Sequence, residues 1–240
     1  MKQQTLKKAV SFEGQGLHTG RPAKIRVLPA PPDTGVQFSR VDLDPGLKVR
    51  AHVDNVRSDE MRQTALVVGQ GVVRTIEHLM ATFHGLGIDN AWVEVDGEEV
   101  PGMDGSAREF AEAFVAAGLE EQPAERRMLE IKEPVFLDFE DQSIIILPAP
   151  HFSISYTLSY RNEDLKDQFL SLRILPEVFE SELAGARTFC LRHEAEAPLA
   201  QGFGKGANLA NTLVFDQNAP IDNTLRFSNE ACRHKILDIM

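Results

Sequence analysis

Short runs with a period of two, punctuated by turn residues, constrain this chain most. Residues 4–12, 22–29, 35–42 and 48–56 alternate apolar and polar positions or are rich in β-formers, and glycine or proline clusters separate them. Such runs read as strands. Thr64 to Val68 and Val72 to Arg74 flank Gly69-Gln70-Gly71, a hairpin signal. Then the period changes. Ile76, Leu79, Met80 and Phe83 stand at i, i+3, i+4 and i+7, with Thr75 as the expected N-cap and Gly85 and Gly87 as stop signals. A strand is expected at 91–95. Ser106-Ala107-Arg108-Glu109 reads as a capping box for a helix running to about Ala117.

Gly118 to Arg126 is charged, carries Pro123 and lacks apolar periodicity. That places a domain boundary there, with a first domain over 1–122 and a second over 127–240. The second half starts again with strands, at 127–138, 142–148, 152–159 and 168–174. Helical signals return at 176–184 and loosely at 192–200, residues 212–215 read as a strand, and Ser228 is placed to cap a final helix. Strand runs precede helices in both halves, without strict strand–helix alternation. The expectation is an α+β fold of two similar domains, each of antiparallel sheet packed with helices.

Apolar runs are short: Ile144-Ile145-Ile146-Leu147 is cut by Pro148, and none approaches the ~20 residues a membrane span needs. The basic start at Lys2, Lys7 and Lys8 is not followed by an apolar signal core. Cys190 and Cys232 form no Cys-x-x-Cys pair and suit a reducing compartment. A cytoplasmic protein that does not span a membrane is expected. The net charge of −11 argues against nucleic acid, since a polyanion needs clustered Lys and Arg. Local basic spots, Arg126-Arg127 and Arg233 to Lys235, would still suit one phosphorylated small molecule.

Chemistry concentrates in two places. His234 and Asp238 are four apart in a helix-like run, so they rise from one face about one turn apart and suit two ligands of one metal. His78 is the third candidate ligand, and Glu77 beside it is a carboxylate of the kind that deprotonates a metal-activated water. On spacing alone, a His and an Asp at i, i+4 are more often a local hydrogen bond. No His-Glu-x-x-His or His-x-x-Glu-His run supports them. Gly202, Gly204 and Gly206 lack P-loop or dinucleotide spacing and read as turn glycines. The residues alone support a mononuclear metal hydrolase and nothing finer.

Five segments in fixed order carry a resemblance. They are Gly16-Leu17-His18-Thr19-Gly20; Thr75-Ile76-Glu77-His78-Leu79 continuing to Gly85-Leu86-Gly87-Ile88-Asp89-Asn90; and Met103-Asp104-Gly105-Ser106-Ala107. Ala186-Arg187-Thr188-Phe189 and Leu225-Arg226-Phe227 through Arg233-His234-Lys235-Ile236-Leu237-Asp238 complete the set. Together they resemble the UDP-3-O-acyl-N-acetylglucosamine deacetylases, zinc amidohydrolases of lipid A synthesis in Gram-negative bacteria. The resemblance implies an active site between two α+β domains, with Zn2+ on His78, His234 and Asp238 and Glu77 as general base. It implies that Thr188 helps hold the oxyanion, that Phe189 lies near the acyl passage and that Lys235 handles substrate charge. His18 matches a motif whose role, in substrate binding or in structure, stays open. The implied partner is the acylated UDP-N-acetylglucosamine, bound by a protein that is monomeric when complete. Gly206-Ala207-Asn208-Leu209-Ala210 departs from the family's Gly-Gly-Ser pattern. The family also continues for several tens of residues past the position of Asp238, with a Ser-Gly-His motif supplying the general acid. The expectation is therefore a C-terminal truncation with little activity of its own. Two other classes remain: a non-catalytic sugar-nucleotide binding protein, and a structural zinc site joining two domains.

Overall fold

Alternating runs of the first quarter supply four strands of one five-stranded sheet. In the computed structural model, which describes residues 1–59, 62–140, 142–160, 165–194 and 204–240, β1 spans Lys2–Leu6, β2 Val10–Gln15, β3 Pro22–Pro29, β4 Val36–Arg40 and β5 Val49–Arg50. A hairpin, β6 (Leu66–Val68) and β7 (Gly71–Val73), precedes helix α1 (Glu77–Leu86), and β8 follows at Ala91–Asp96. The sheet order is β2-β3-β8-β4-β5, antiparallel except for the parallel pair β4–β8. Alternation is strict where it matters: Ala23, Ile25 and Val27 of β3 and Ala91, Val93 and Val95 of β8 are buried. Helix α2 (Arg108–Ala117) lays Phe110 and Phe114 on that inner face, with Phe12 edge-on to the Phe110 ring at 4.8 Å.

Several local expectations are corrected. The single strand at 4–12 is two, split at residues 7–9 because β1 pairs with β9 (Leu119–Glu125) while β2 pairs with β3. The charged 119–125 stretch is therefore itself a strand. Its inward residue is Gln122, which accepts from the Asn90 amide at 2.7 Å and donates to the Ala30 carbonyl at 2.8 Å, so no apolar alternation marks it. The 48–56 run shrinks to β5 and a 3-10 turn over Val53–Asn55. Thr75 does not cap α1: its φ is 58°, and its hydroxyl donates to Glu99 Oε1 at 2.8 Å. Gly87 closes the helix in the left-handed region, φ 74°. Gly85, by contrast, lies inside the helix, where a Cβ would fall within 2.6 Å of the Phe179 ring. The capping box is only half formed: the Ser106 hydroxyl accepts the Arg108 N–H at 3.2 Å, but the Ser106 N–H goes to Asp104 Oδ1 rather than to Glu109.

The second half holds two antiparallel hairpins, β10 (Val135–Phe139) with β11 (Gln142–Ile146) and β12 (Ser153–Leu158) with β13 (Gln168–Arg173). The expected strand at 127–138 thus begins only at Val135, after Pro134. Phe136, Leu137, Phe139, Ile144 and Ile145 of the first hairpin are all more than half exposed. Helix α3 (Pro176–Val178) runs straight into a π turn, Phe179–Leu183. Strand β14 (Phe189–Leu191) lies parallel to β15 (Leu213–Asp216), which pairs with β16 (Ala219–Pro220). The last helix, α4 (Glu230–Ile239), starts at Asn229 rather than from a Ser228 cap. Of the expected helix at 192–200, residues 195–200 lie outside the described residues, and so does Gly202. The whole is α+β, with several small antiparallel sheets. Helices α1 and α4 pack together, so Phe179, Leu183, Ile236 and Leu237 join Leu79, Phe83 and Phe114 in one core. No helix among the described residues is long and apolar enough to cross a membrane.

Candidate metal centre

The contact of α1 with α4 puts the first turn of one helix against the C-terminal half of the other. Glu77 and His78 open α1, and His234 and Asp238 stand one turn apart on α4. One ligand atom from each of His78, His234 and Asp238 lies within 4.8 Å of the others. His234 Nε2 is 3.4 Å from Asp238 Oδ1, and the two imidazole rings are 5.0 Å apart, nearly perpendicular. For bonds of about 2.0–2.1 Å, neighbouring ligands on a tetrahedral ion lie roughly 3.3–3.4 Å apart, so the His234–Asp238 spacing already fits.

The protonation states suit ligation. His78 and His234 are buried, and burial pushes both imidazoles down, His78 to about 3, with the neighbouring His234 adding to the drop. Both present a neutral ring at neutral pH. Burial works against the Asp238 carboxylate, but His234 and Lys235 more than offset it and hold its pKa below the ordinary value. Nδ1 of His234 is 3.0 Å from the Ala186 carbonyl, which can only accept, so the proton sits on Nδ1 and the Nε2 lone pair faces Asp238. Two neutral imidazoles and a carboxylate, with one tautomer fixed from behind, fit a catalytic zinc ion that keeps a fourth position open.

Glu77 is fastened at one carboxylate oxygen by the strand hairpin's leading loop. Its Oε2 accepts the Thr64 N–H at 3.0 Å. Burial, and secondarily the Asp238 charge, push its carboxyl up to about 8. The N–H of Thr188 donates to the Gly105 carbonyl at 2.7 Å, and its own carbonyl accepts from Leu213 at 2.9 Å, so both halves of the chain fix this residue. Phe189 opens β14, its ring 6.5 Å from that of His234 and 5.5 Å below the Lys235 ammonium. Lys235 donates to Asp238 Oδ2 at 2.9 Å; burial opposes its charge, but Asp238 raises its pKa overall.

His18 lies on the loop of residues 16–20. Buried Glu99 gathers that loop, accepting from the N–H groups of His18 and Thr19, the Thr19 hydroxyl and the Thr75 hydroxyl. Gly206 donates to the Leu17 carbonyl at 3.1 Å, and a Cβ on it would run into Gly16. Gly204 supplies a turn at φ 69°. These glycines dock one loop on another, and Asn208 accepts from the Ala210 N–H at 2.8 Å. Sequence reasoning missed Glu99 and the Ala186 carbonyl. A backbone carbonyl carries no residue signature, and a single Glu beside a strand is ordinarily solvated.

Comparison with known proteins gives matches over almost the whole chain. The family model for LpxC, UDP-3-O-acyl N-acetylglycosamine deacetylase, matches residues 3–240. A UDP-3-O-acyl-N-acetylglucosamine deacetylase of Geobacter sp. (strain M21) is 41% identical over 237 residues, 98% of this chain and 77% of the relative. Those of Saccharophagus degradans and Thermodesulfovibrio yellowstonii are 38% and 37% identical, covering 99% and 98% of this chain and 79% and 80% of their own lengths.

Proposed function

This chain belongs to the UDP-3-O-acyl N-acetylglycosamine deacetylase family, and from that premise we propose that it is a zinc amidohydrolase acting on UDP-3-O-acyl-N-acetylglucosamine in the cytoplasm, at an early step of lipid A synthesis. Residues 1–122 and 127–240 are the two domains, each giving part of the centre. One observation carries the reading: His78 and His234–Asp238, far apart in sequence, converge with Glu77 alongside. Neither a binding module nor a structural zinc site would need that second acid.

Zinc on His78, His234 and Asp238 would supply Lewis-acid polarisation of the acetamide carbonyl and bring an attacking water into the neutral titration range. The chain's own residues do the rest. Glu77, held at Oε2 by Thr64 and returned by the metal's charge from the raised value that burial gives it to the ionised form, takes the water's proton on its other oxygen. As the water oxygen bonds to the acetyl carbon, the Thr188 hydroxyl donates to the developing oxyanion. As the C–N bond then breaks, the amine nitrogen takes up the proton that Glu77 received from the water, and acetate leaves. Phe189 borders the acyl chain. Lys235, bridged to Asp238, presents its remaining N–H bonds to substrate charge, and His18 of the 16–20 loop is assigned to substrate binding.

The test is Glu77→Ala in the full-length gene product. Its zinc content should match wild type while acetate release from the acylated UDP-N-acetylglucosamine falls roughly 10²–10⁴-fold, the range general-base catalysis supplies. Unchanged release would remove Glu77 from the chemistry and with it the reading.

A further inference from the structure

Three runs to which the reaction gives only part of a task, Asp104-Gly105-Ser106, Ala186-Arg187-Thr188 and Leu225-Arg226-Phe227, meet in one polar network. Its centre is an ion pair between Arg187 Nε and Glu230 Oε1 at 2.8 Å, with side chains only 6% and 0% exposed. Glu230 also accepts the Arg187 backbone N–H on Oε1 at 3.1 Å and the Arg226 backbone N–H on Oε2 at 2.6 Å. The guanidinium gives its other N–H groups to Asn223 Oδ1 at 3.0 Å and the Thr224 carbonyl at 2.7 Å. Arg226 extends the network to Asp104 Oδ2 at 2.8 Å and to the Gly185 carbonyl at 3.0 Å.

Glu230, His234 and Asp238 are at i, i+4 and i+8 of α4, on one face. Ala186, whose carbonyl takes the His234 Nδ1 proton, directly precedes Arg187. The ion pair therefore sits one helical turn and one residue from the bond that selects the His234 tautomer. That selection has a competitor, because Asp238 Oδ1, 3.4 Å from Nε2, would accept the proton if the Ala186 carbonyl moved away. Thr188 follows Arg187 and is carried by the same anchor.

Resting on the zinc deacetylase reading, we propose that Arg187 and Glu230 are positioning residues for the metal centre. The pair holds residues 186–188 in register with α4, keeps the His234 proton on Nδ1 and leaves Nε2 free for the metal. Breaking a buried pair strands a charge, whereas replacing both partners by apolar groups of similar size is often tolerated. Two variants of the full-length gene product are therefore used, Glu230→Gln and the double variant Arg187→Met/Glu230→Met.

Two readouts are taken on each: the imidazole ¹⁵N shifts of His234 in metal-free protein, and zinc affinity by chelator competition well below the melting temperature. Wild type should show the Nδ1–H form alone. The folded variants should show a mixture with the Nε2–H form and bind zinc about 10–100-fold more weakly, the usual cost of losing the outer support of a ligand. Folded variants with the wild-type tautomer and wild-type zinc affinity would overturn the proposal. Failure of both variants to fold would also overturn it, making the pair a folding determinant. If wild type itself binds no zinc, the deacetylase reading fails, while the tautomer measurement still decides whether the pair positions His234.

Discussion

Substituting Gly85 by alanine should destabilise this protein, although helix propensity alone predicts the opposite. Gly85 is interior to α1, where glycine costs about 0.8–1.0 kcal/mol relative to alanine, so an unobstructed site would gain that much. The site is obstructed. A Cβ there would lie 2.5 and 2.6 Å from the two Cδ atoms of Phe179 and closer still to Cγ. Carbon atoms in contact prefer about 3.5–4.0 Å, so ring and helix must part by roughly 1 Å. Phe179 is fully buried in the π turn, with no free end to swing aside. Overpacking of this kind costs typically 1–3 kcal/mol. Taking the upper part of that range for so close an approach and subtracting the propensity gain leaves a loss of about 2 kcal/mol. For a chain of this length, 1 kcal/mol corresponds to about 2–4 °C, so the melting temperature should fall by about 4–8 °C. The displacement also separates α1 from the π turn and α4, so zinc affinity should drop with stability. Calorimetry and chelator competition on one preparation measure both. A rise in melting temperature would refute the reasoning, because it would mean that the two helices accommodate a methyl group between them.

Thr188→Ala should lower the rate of acetate release by less than the ~10²–10³-fold that a dedicated oxyanion donor commands, because zinc shares the task; a larger loss at unchanged zinc content would contradict that division. Asp104→Asn should cost stability at neutral pH and progressively less in acid. Burial opposes the Asp104 charge, but the Ser106 hydroxyl and Arg226 hold its pKa below the ordinary 3.8. Its contribution is thus full above that ordinary value and is lost as pH falls through the lower folded one. Urea unfolding of both proteins from pH 7 to pH 3 should show the gap narrowing, and a constant gap would count against the assignment.

Much of the sheet was legible because inward positions of β3 and β8 carry alanine, isoleucine and valine at period two. Strand β9 was not, since its buried position is a glutamine satisfied by Asn90 and Ala30. Helix α1 was legible in period and at its C-terminus, where Gly87 does what a terminal glycine does. Its entry was not, because Thr75 spends its hydroxyl on Glu99, a residue distant in sequence. Gly85 looked like a stop signal because spacing cannot distinguish a terminator from a notch for an aromatic ring. For the metal centre, spacing linked His234 to Asp238, while nothing local linked them to His78. That link required the resemblance, and the packing of α1 on α4 supplies its geometry. Arg187 was visible only as part of a motif, and its partner Glu230 lies where a glutamate opening a helix is ordinarily exposed to water.

The most direct test of the shared metal centre is zinc content per chain for wild type, His78→Ala and His234→Ala, measured after equilibration against a weak chelator. Wild type should hold one zinc, and each variant should lose most of it, because each removes one of the three proposed ligands, which two helices contribute. Full retention of zinc by both variants would contradict the account.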